Sequence, residues 1–406
     1  MTETDKIAAP LIAWITEQGL QGVSREDILR GYCERLVQAD IPLLRFHLAQ
    51  RAYHPKFGGI GFSWTRAEGL THQHFQRQET PIDAWLRSPF YRMLQMDNEE
   101  FRSSFGTDDV TDFPVLKDLS ETGATDYFAT RQMFGEPMDV PTDPDAPSEG
   151  MMVSWTSDLE GGFSDGHLSL FRTLLPHLGL ALKSSSHRQM ASDLLQVYLG
   201  RDAGRRVLSG EIQRGSSQQI NAVICYFDLK GFTRLAEQLP GPDLIDMLND
   251  YFAIAVATIQ CHGGNILKFM GDGILTMFDL GSIEADAKAA LDAASELKAK
   301  IAERNIERAT AGLPIADFTL ALHAGEILYG NIGAENRLDF TAIGPAVNLT
   351  SRISGQHREV GQSIIVSEVV QRAAHPSPHD LVSLGRYMLR GVAEPIELYT
   401  IFEGAA

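Results

Sequence analysis

Two aspartates, Asp228 and Asp272, stand where short loops interrupt apolar runs. Asp228 closes NAVICYFDL just before Gly231 and Phe232, and Asp272 lies between two glycines in NILKFMGDGILTMFDL. An aspartate alone at either place is what a turn favours, because its side chain bonds nearby backbone. Together they support more. Adjacent strand ends of one sheet can bring two carboxylates close, and hard cations such as Mg²⁺ take a few carboxylates plus substrate phosphate oxygens. That is the arrangement of two-metal phosphoryl chemistry. Asn348 and Arg352 are four apart in PAVNLTSRIS and project from one helix face, either a solvated face or a pair of substrate contacts. Lys268, three residues before Gly271 in the apolar ILKFMG, either snorkels to the surface or makes a specific contact. Thr341 in DFTAIG is a residue that β-propensity alone would place in a strand.

The elements that must position these groups follow from periodicity. NAVICYFDL reads as a strand and GPDLIDMLNDYFAIAVATIQCHGG as a helix stopped by Gly263 and Gly264. NILKFMGDGILTMFDL reads as two strands around a tight GDG turn, residues 283–306 as a long Ala-rich helix, FTLALHAGEILYG as a strand, and PAVNLTSRIS as the start of a helix. The order is βααβ-like.

The segments FDLKGFT, ILKFMGDGILTMF, HAGEILYGNIG and DFTAIGPAVNLTSR, in this order, resemble the class III nucleotidyl cyclase catalytic domain over about residues 217–402. The resemblance implies a ferredoxin-like α/β sandwich that works as a head-to-tail homodimer with catalytic sites at the subunit interface. It implies that Asp228 and Asp272 bind two Mg²⁺ or Mn²⁺ ions per site, with the backbone carbonyl of Leu229, often isoleucine in the family, on a metal. It implies that Lys268 and Thr341 read the purine, that Asn348 orients the ribose, and that Arg352 meets the transition state. Arg390, in LRGVAEPIELY, falls near the family's phosphate-binding basic residue. It implies that the metal aspartates and the base-reading pair of one site come from opposite subunits. The implied activity is conversion of ATP to 3′,5′-cyclic AMP and pyrophosphate. A lysine ammonium can only donate, which suits adenine N1 and clashes with the N1–H of guanine, and the Thr341 hydroxyl can accept from the 6-amino group. Many adenylate cyclases carry Asp at the position of Thr341; this chain is similar to the Thr-bearing subgroup, some members of which respond to bicarbonate. Two rivals remain, a degenerate nucleotide-binding module without turnover and a guanylate or diguanylate cyclase. The intact Asp228, Asp272, Asn348 and Arg352 oppose the first; Lys268 and the lack of a GGDEF-like run oppose the second.

The front half is less explicit. Ser24 opens a helix carrying Ile28, Leu29, Tyr32 and Leu36, and LLRFHLAQRAYHP with FGGIGFSWTR reads as a hairpin. Residues 113–134 look helical, GEPMDVPTDPDAPSEG is turn-rich, and MMVSWTS is a strand, an order that suits an α+β domain with an antiparallel sheet. The closing strand and helix, GMMVSWTSDLEGGFSDGHLSLFRTLLPHLGLALK, resemble those of a GAF-type sensor, which implies an unknown small-molecule signal. The helical pattern runs from about Asp165 to Leu199, its stripe either packed on its own domain or paired in a parallel coiled coil. The expected organisation is therefore α+β throughout: a GAF-like sensor over 1–183, a helical linker over 184–216 and the cyclase domain over 217–406. His47, His54, His72, His74, His167 and His177 match no metal spacing. The aromatics Phe46, Phe57, Phe62, Trp64, Trp85, Phe90, Tyr91 and Trp155 read as core.

Composition bounds the partners. The 406 residues carry 35 basic against 53 acidic side chains, a formal charge of −18, which repels phosphate backbones and anionic lipid heads. Neither nucleic-acid nor membrane-surface binding is expected. Cys33, Cys225 and Cys261 are scattered and odd in number, and the start, MTETDKIAAP, lacks a basic region leading into an apolar one. A cytoplasmic protein with reduced thiols is the expectation.

Overall fold

The computed structural model describes residues 3–51, 57–76, 83–105, 113–134, 150–377 and 379–402. His54 and all but the last residue of the turn-rich stretch 135–150 lie outside them. The chain forms two compact units, Met1–Leu194 and Leu195–Ala406.

The first unit contains α1 (Glu3–Gln21), α2 (Arg25–Gln38), β1 (Arg45–Arg51), β2 (Phe57–Thr65), β3 (Gly69–Gln76), α3 (Asp83–Leu86), α4 (Pro89–Gln95), β4 (Glu100–Ser104), α5 (Pro114–Glu121), β5 (Asp126–Met133), β6 (Gly150–Ser157) and α6 (Asp165–Leu199), the last running on into the second unit. The sheet is antiparallel, in the order β3-β2-β1-β6-β5-β4. Ser24 caps α2 by accepting from the Asp27 amide at 3.1 Å, so Ile28, Leu29, Tyr32 and Leu36 enter the core in register. The α6 stripe is buried in this unit from Leu168 through Leu182, whereas Tyr198 near its end is exposed. At the centre, Trp155 stacks on Phe171 with ring centroids 4.7 Å apart, and its indole N–H donates to the Tyr32 hydroxyl at 3.2 Å. That bond satisfies a donor that burial would otherwise strand. Phe46, Phe62, Trp64 and Phe90 are buried too.

One expectation fails here. The helix beginning at Pro114 ends at Glu121, and Asp126–Met133 is strand β5. Gly123, at φ +91°, turns the chain, and the Tyr127–Phe128–Ala129 run is buried on both faces between β4 and β6. A strand covered on both sides shows no two-residue alternation, so LKDLSETGATDYFATRQM looks continuous.

The second unit contains α7 (Arg201–Leu208), β7 (Ser217–Leu229), α8 (Phe232–Gln238), α9 (Gly241–Cys261), β8 (Asn265–Met270), β9 (Gly273–Phe278), α10 (Ile283–Thr310), β10 (Phe318–Ala334), β11 (Arg337–Ile343), α11 (Pro345–Ser354), α12 (His357–Val360), β12 (Ile364–Ser367), α13 (Glu368–Ala373), β13 (Asp380–Tyr387) and β14 (Ile396–Phe402). Its sheet runs β13-β14-β12-β10-β7-β9-β8, with β11 on the far part of β10. Among the described residues only the β10–β12 pairing of this sheet is parallel. The α+β class holds in both units. One face of the sheet packs Phe227, Leu229, Phe278 and Leu320 against α9 and α10; the other packs Leu267, Phe340 and Ala342 with Ala203 of α7 and Ala346 of α11. Among the described residues α9 is the one helix long and apolar enough to span a bilayer. It serves the core: Met247, Tyr251, Ala255 and Ile259 are buried, and Asp250 bonds Arg304 at 2.9 Å and Arg308 at 2.6 Å on α10.

Candidate active site

The strand β7 is apolar from Ala222 to Phe227, which makes it a central strand and fixes where its end falls. Asp228, half-buried at that end, pairs in register with Gly273, the first residue of β9. The GDG turn divides its labour between its glycines. Gly271 sits at φ +65°, where a side chain would strain the backbone. Gly273 has no room: a Cβ there would lie 3.0 Å from Asp228 Oδ1 and 3.0 Å from the Phe227 carbonyl. The Leu229 amide donates to the Asp272 carbonyl at 3.2 Å, tying the two acid-bearing segments together, while the Leu229 side chain is core.

This closeness has an electrostatic signature. Burial and then the neighbouring Asp272 charge push the Asp228 carboxyl up to about 6. The Tyr226 phenol is likewise raised, by burial first and then by Asp228 and Asp272. An acid whose ionisation is disfavoured by burial and by a neighbouring carboxylate marks a place where a cation is stabilising, and the oxygen donors of the pair suit Mg²⁺ or Mn²⁺. The site offers two carboxylates, and among the described residues no group of three or more His, Cys, Asp or Glu side chains that could hold a metal occurs here or elsewhere. A methyl at position 273 must push on Asp228 or on backbone. Gly273→Ala is therefore expected to destabilise the second unit by about 1–3 kcal/mol, read in a urea melt, and to impair any activity that depends on the acid pair.

Lys268 lies just past a register shift between Ile266 and Lys268 in the β8–β9 pairing. Its ammonium reaches Asp339 Oδ2 on β11 at 3.1 Å, with both side chains substantially exposed. Asp339 is two residues from Thr341 and so projects from the same face of β11. The Thr341 side chain is buried, and its hydroxyl has no hydrogen-bond partner among the described residues. It shares this with the Thr156 hydroxyl and His357 Nε2 among the described residues, but lies on the strand of Asp339, the partner of Lys268, where an incoming group could satisfy it.

Asn348 and Arg352 lie on the exposed face of α11, whose other face buries Ala346, Thr350 and Ile353. Arg352 Nη1 donates to the Gly391 carbonyl at 3.3 Å, beside the exposed Arg390 in the β13–β14 connection. The eight expected residues thus fall into three groups: Asp228, Leu229 and Asp272; Lys268 and Thr341; Asn348, Arg352 and Arg390. Among the described residues no side-chain hydrogen bond or ion pair joins one group to another. Sequence reasoning missed Asp339, which lies 71 positions from Lys268, and Gly391. Neither carries a local signal.

Residues 216–403 match the family described as adenylate and guanylate cyclase catalytic domain. The second unit carries a nucleotidyl cyclase catalytic domain. A relative named adenylate cyclase, from Anabaena cylindrica, is 30% identical over 192 residues, 47% of this chain and 38% of that protein. The chain thus spans well under half the length of this curated relative. Among solved structures, an adenylyl cyclase from P. aeruginosa is 24% identical with a TM-score of 0.43, covering 47% of this chain and 97% of that one. A guanylyl cyclase structure is 29% identical with a TM-score of 0.42, covering 46% and 93%. Within the cyclase domain the expected metal aspartates occupy adjacent strand ends, and the expected base-reading and transition-state residues stand elsewhere on the same sheet and its covering helix.

Proposed function

We propose that the protein is a homodimeric, cytoplasmic adenylate cyclase that converts ATP to 3′,5′-cyclic AMP and pyrophosphate under the control of its first unit, a GAF-like sensor. The observation that carries this reading is the acid pair: Asp228, lifted to about 6 by burial and by Asp272, at paired strand ends of a domain that matches nucleotidyl cyclases.

In this reading Asp228 and Asp272, with the backbone carbonyl of Leu229, would hold two divalent cations, which when bound would supply charge neutralisation at the phosphates and a lowered pKa for the ribose hydroxyl. The chain's own side chains do the rest. Lys268 donates to adenine N1, and the orphaned Thr341 hydroxyl accepts from the 6-amino group. Asp339 holds the Lys268 ammonium over the strand that carries Thr341. Asn348 orients the ribose so that its 3′-oxygen faces the α-phosphorus. As that oxygen bonds to phosphorus and the bond to pyrophosphate breaks, charge grows on the α-phosphoryl oxygens, and the Arg352 guanidinium answers it with paired donors. Arg390 steadies the departing pyrophosphate. The hydroxyl proton leaves to solvent or to a phosphate oxygen, since no His or Glu is committed as a base.

A shared site explains why the three groups lie apart in one chain: a second subunit completes each site. Phe269 and Met270 beside Lys268, and Leu338 and Ile343 on the strand of Thr341, are exposed apolar residues suited to such a contact. Regulation then acts through assembly. The helix α7, which directly follows α6, packs Ala203 against the sheet and stacks Arg206 over Tyr329 at 5.5 Å, while Tyr329 accepts from Asn265 of β8 at 3.4 Å. Motion of the connecting helices would reach the strand of Lys268 by this route. The test is product analysis with Mg²⁺ or Mn²⁺ and competing ATP and GTP. Cyclic AMP as the main product is expected; cyclic GTP-derived product in excess, or none at all, would refute the reading.

A further inference from the structure

The first unit contains a cavity of about 430 Å³, within the range of small-molecule sites. It lies among the start of α2, the ends of β1 and β2, β3 and the middle of α6, and Arg25, Glu26, Gln50, Arg51, His74, Ser186 and Asp193 are among its lining, Arg51 being already engaged in an interaction of its own. One wall is fixed internally, Ser186 donating to Gln50 Oε1 at 3.1 Å.

Its charges are unusual. The half-buried Arg25 guanidinium lies over the Phe62 ring, 5.5 Å from the centroid. Among the described residues it has neither a hydrogen bond nor an ion pair; Glu26 and Asp193 act on it only through space, and burial lowers its pKa against their influence. Glu26 and Asp193 are half-buried as well, and neither has an ion-pair partner among the described residues; Asp193 accepts only from the Gln189 amide, at 2.7 Å. Charges of both signs withdrawn from water without direct partners are costly, and a ligand bearing both signs relieves each of them. A simple anion would satisfy Arg25 while being repelled by the two carboxylates. A simple cation would leave Arg25 as it is.

We infer that this cavity binds a small zwitterionic metabolite of the free amino-acid class, its carboxylate on Arg25 and its ammonium facing Glu26 and Asp193. Gln50, Ser186 and His74 supply polar contacts to the remainder. Because one wall is α6, the helix that leads toward the catalytic unit, an occupant would bear on that helix.

Calorimetric titration of the full-length protein with a panel of free amino acids tests this, with acetate, methylammonium and inorganic phosphate as single-charge probes. At least one amino acid should bind saturably while the single-charge probes do not. Arg25→Gln and Asp193→Asn should each weaken that binding about tenfold or more, as loss of one charge-assisted contact requires. Arg25→Lys, which keeps the charge over Phe62, should retain measurable binding. Should Arg25→Gln fail to fold, Asp193→Asn decides alone. The inference is overturned if no amino acid binds. It is equally overturned if acetate or phosphate binds as tightly and Asp193→Asn strengthens the binding, the behaviour of a plain anion site. Binding is read without turnover, so neither result bears on the cyclase reading.

Discussion

Arg352→Ala should lower kcat for cyclic AMP formation by about 10²–10³-fold while leaving the KM for ATP within a few-fold. The guanidinium is exposed and, among the described residues, is held only by the Gly391 carbonyl at 3.3 Å, so its removal disturbs no core and the fold should survive. Its loss would be felt where charge develops on the α-phosphoryl group, not where the base or ribose binds. Arg352→Lys keeps the positive charge but not the planar fork and should recover only a small part of the rate. Equal losses in kcat and in ATP affinity would mean that Arg352 binds substrate and transition state alike, contrary to the role given it.

Asp228→Asn should abolish turnover yet stabilise the protein in the absence of divalent cations. The Asp228 carboxyl titrates at about 6 in the folded chain against an ordinary 3.8. Its folded value lies above its unfolded one, so ionisation opposes folding. The penalty is absent below pH 3.8, grows between 3.8 and about 6, and is complete above that. For a fully dry group this displacement would amount to about 3 kcal/mol. Asp228 is only half-buried, and solvent screening reduces the figure to about 1 kcal/mol. For a unit of this size that is about 2–4 °C in Tm. Melting curves at pH 7 in chelator should therefore place Asp228→Asn above the parent, and the gap should close as pH falls towards 4. With Mg²⁺ or Mn²⁺ added, the parent should gain stability and the variant should not. A variant less stable than the parent at pH 7 without metal would show that the ionised Asp228 carries no such penalty.

How much of this was legible in the residues follows the range of the interactions. Asp228 and Asp272 could be placed because a strand–turn–strand grammar of apolar runs and glycines is local, and the structure puts Asp228 opposite Gly273 in register. The helix of Asn348 and Arg352 was equally local: Pro345 starts it, and Ala346, Thr350 and Ile353 bury its inner face. The bond between Lys268 and Asp339 was not legible, since two strands distant in sequence make it. Nor was the orphaned Thr341 hydroxyl, because whether a buried donor finds a partner depends on its whole surroundings. In the first unit, β5 was hidden by burial on both faces, which erases the alternation by which a strand is recognised. The α6 stripe left open whether its own domain covers it; the structure covers it as far as Leu182.

The proposed catalysis requires each site to be built by two chains, and mixing two inactive variants measures that directly. Asp272→Asn lacks a cation-holding acid, and Arg352→Ala lacks the transition-state donor. In a statistical mixture about half the dimers are mixed, each with one of its two sites intact, so activity should return to about a quarter of the parent's. If both variants fold and dimerise, and the mixture stays as inactive as either alone, each chain must build its site by itself.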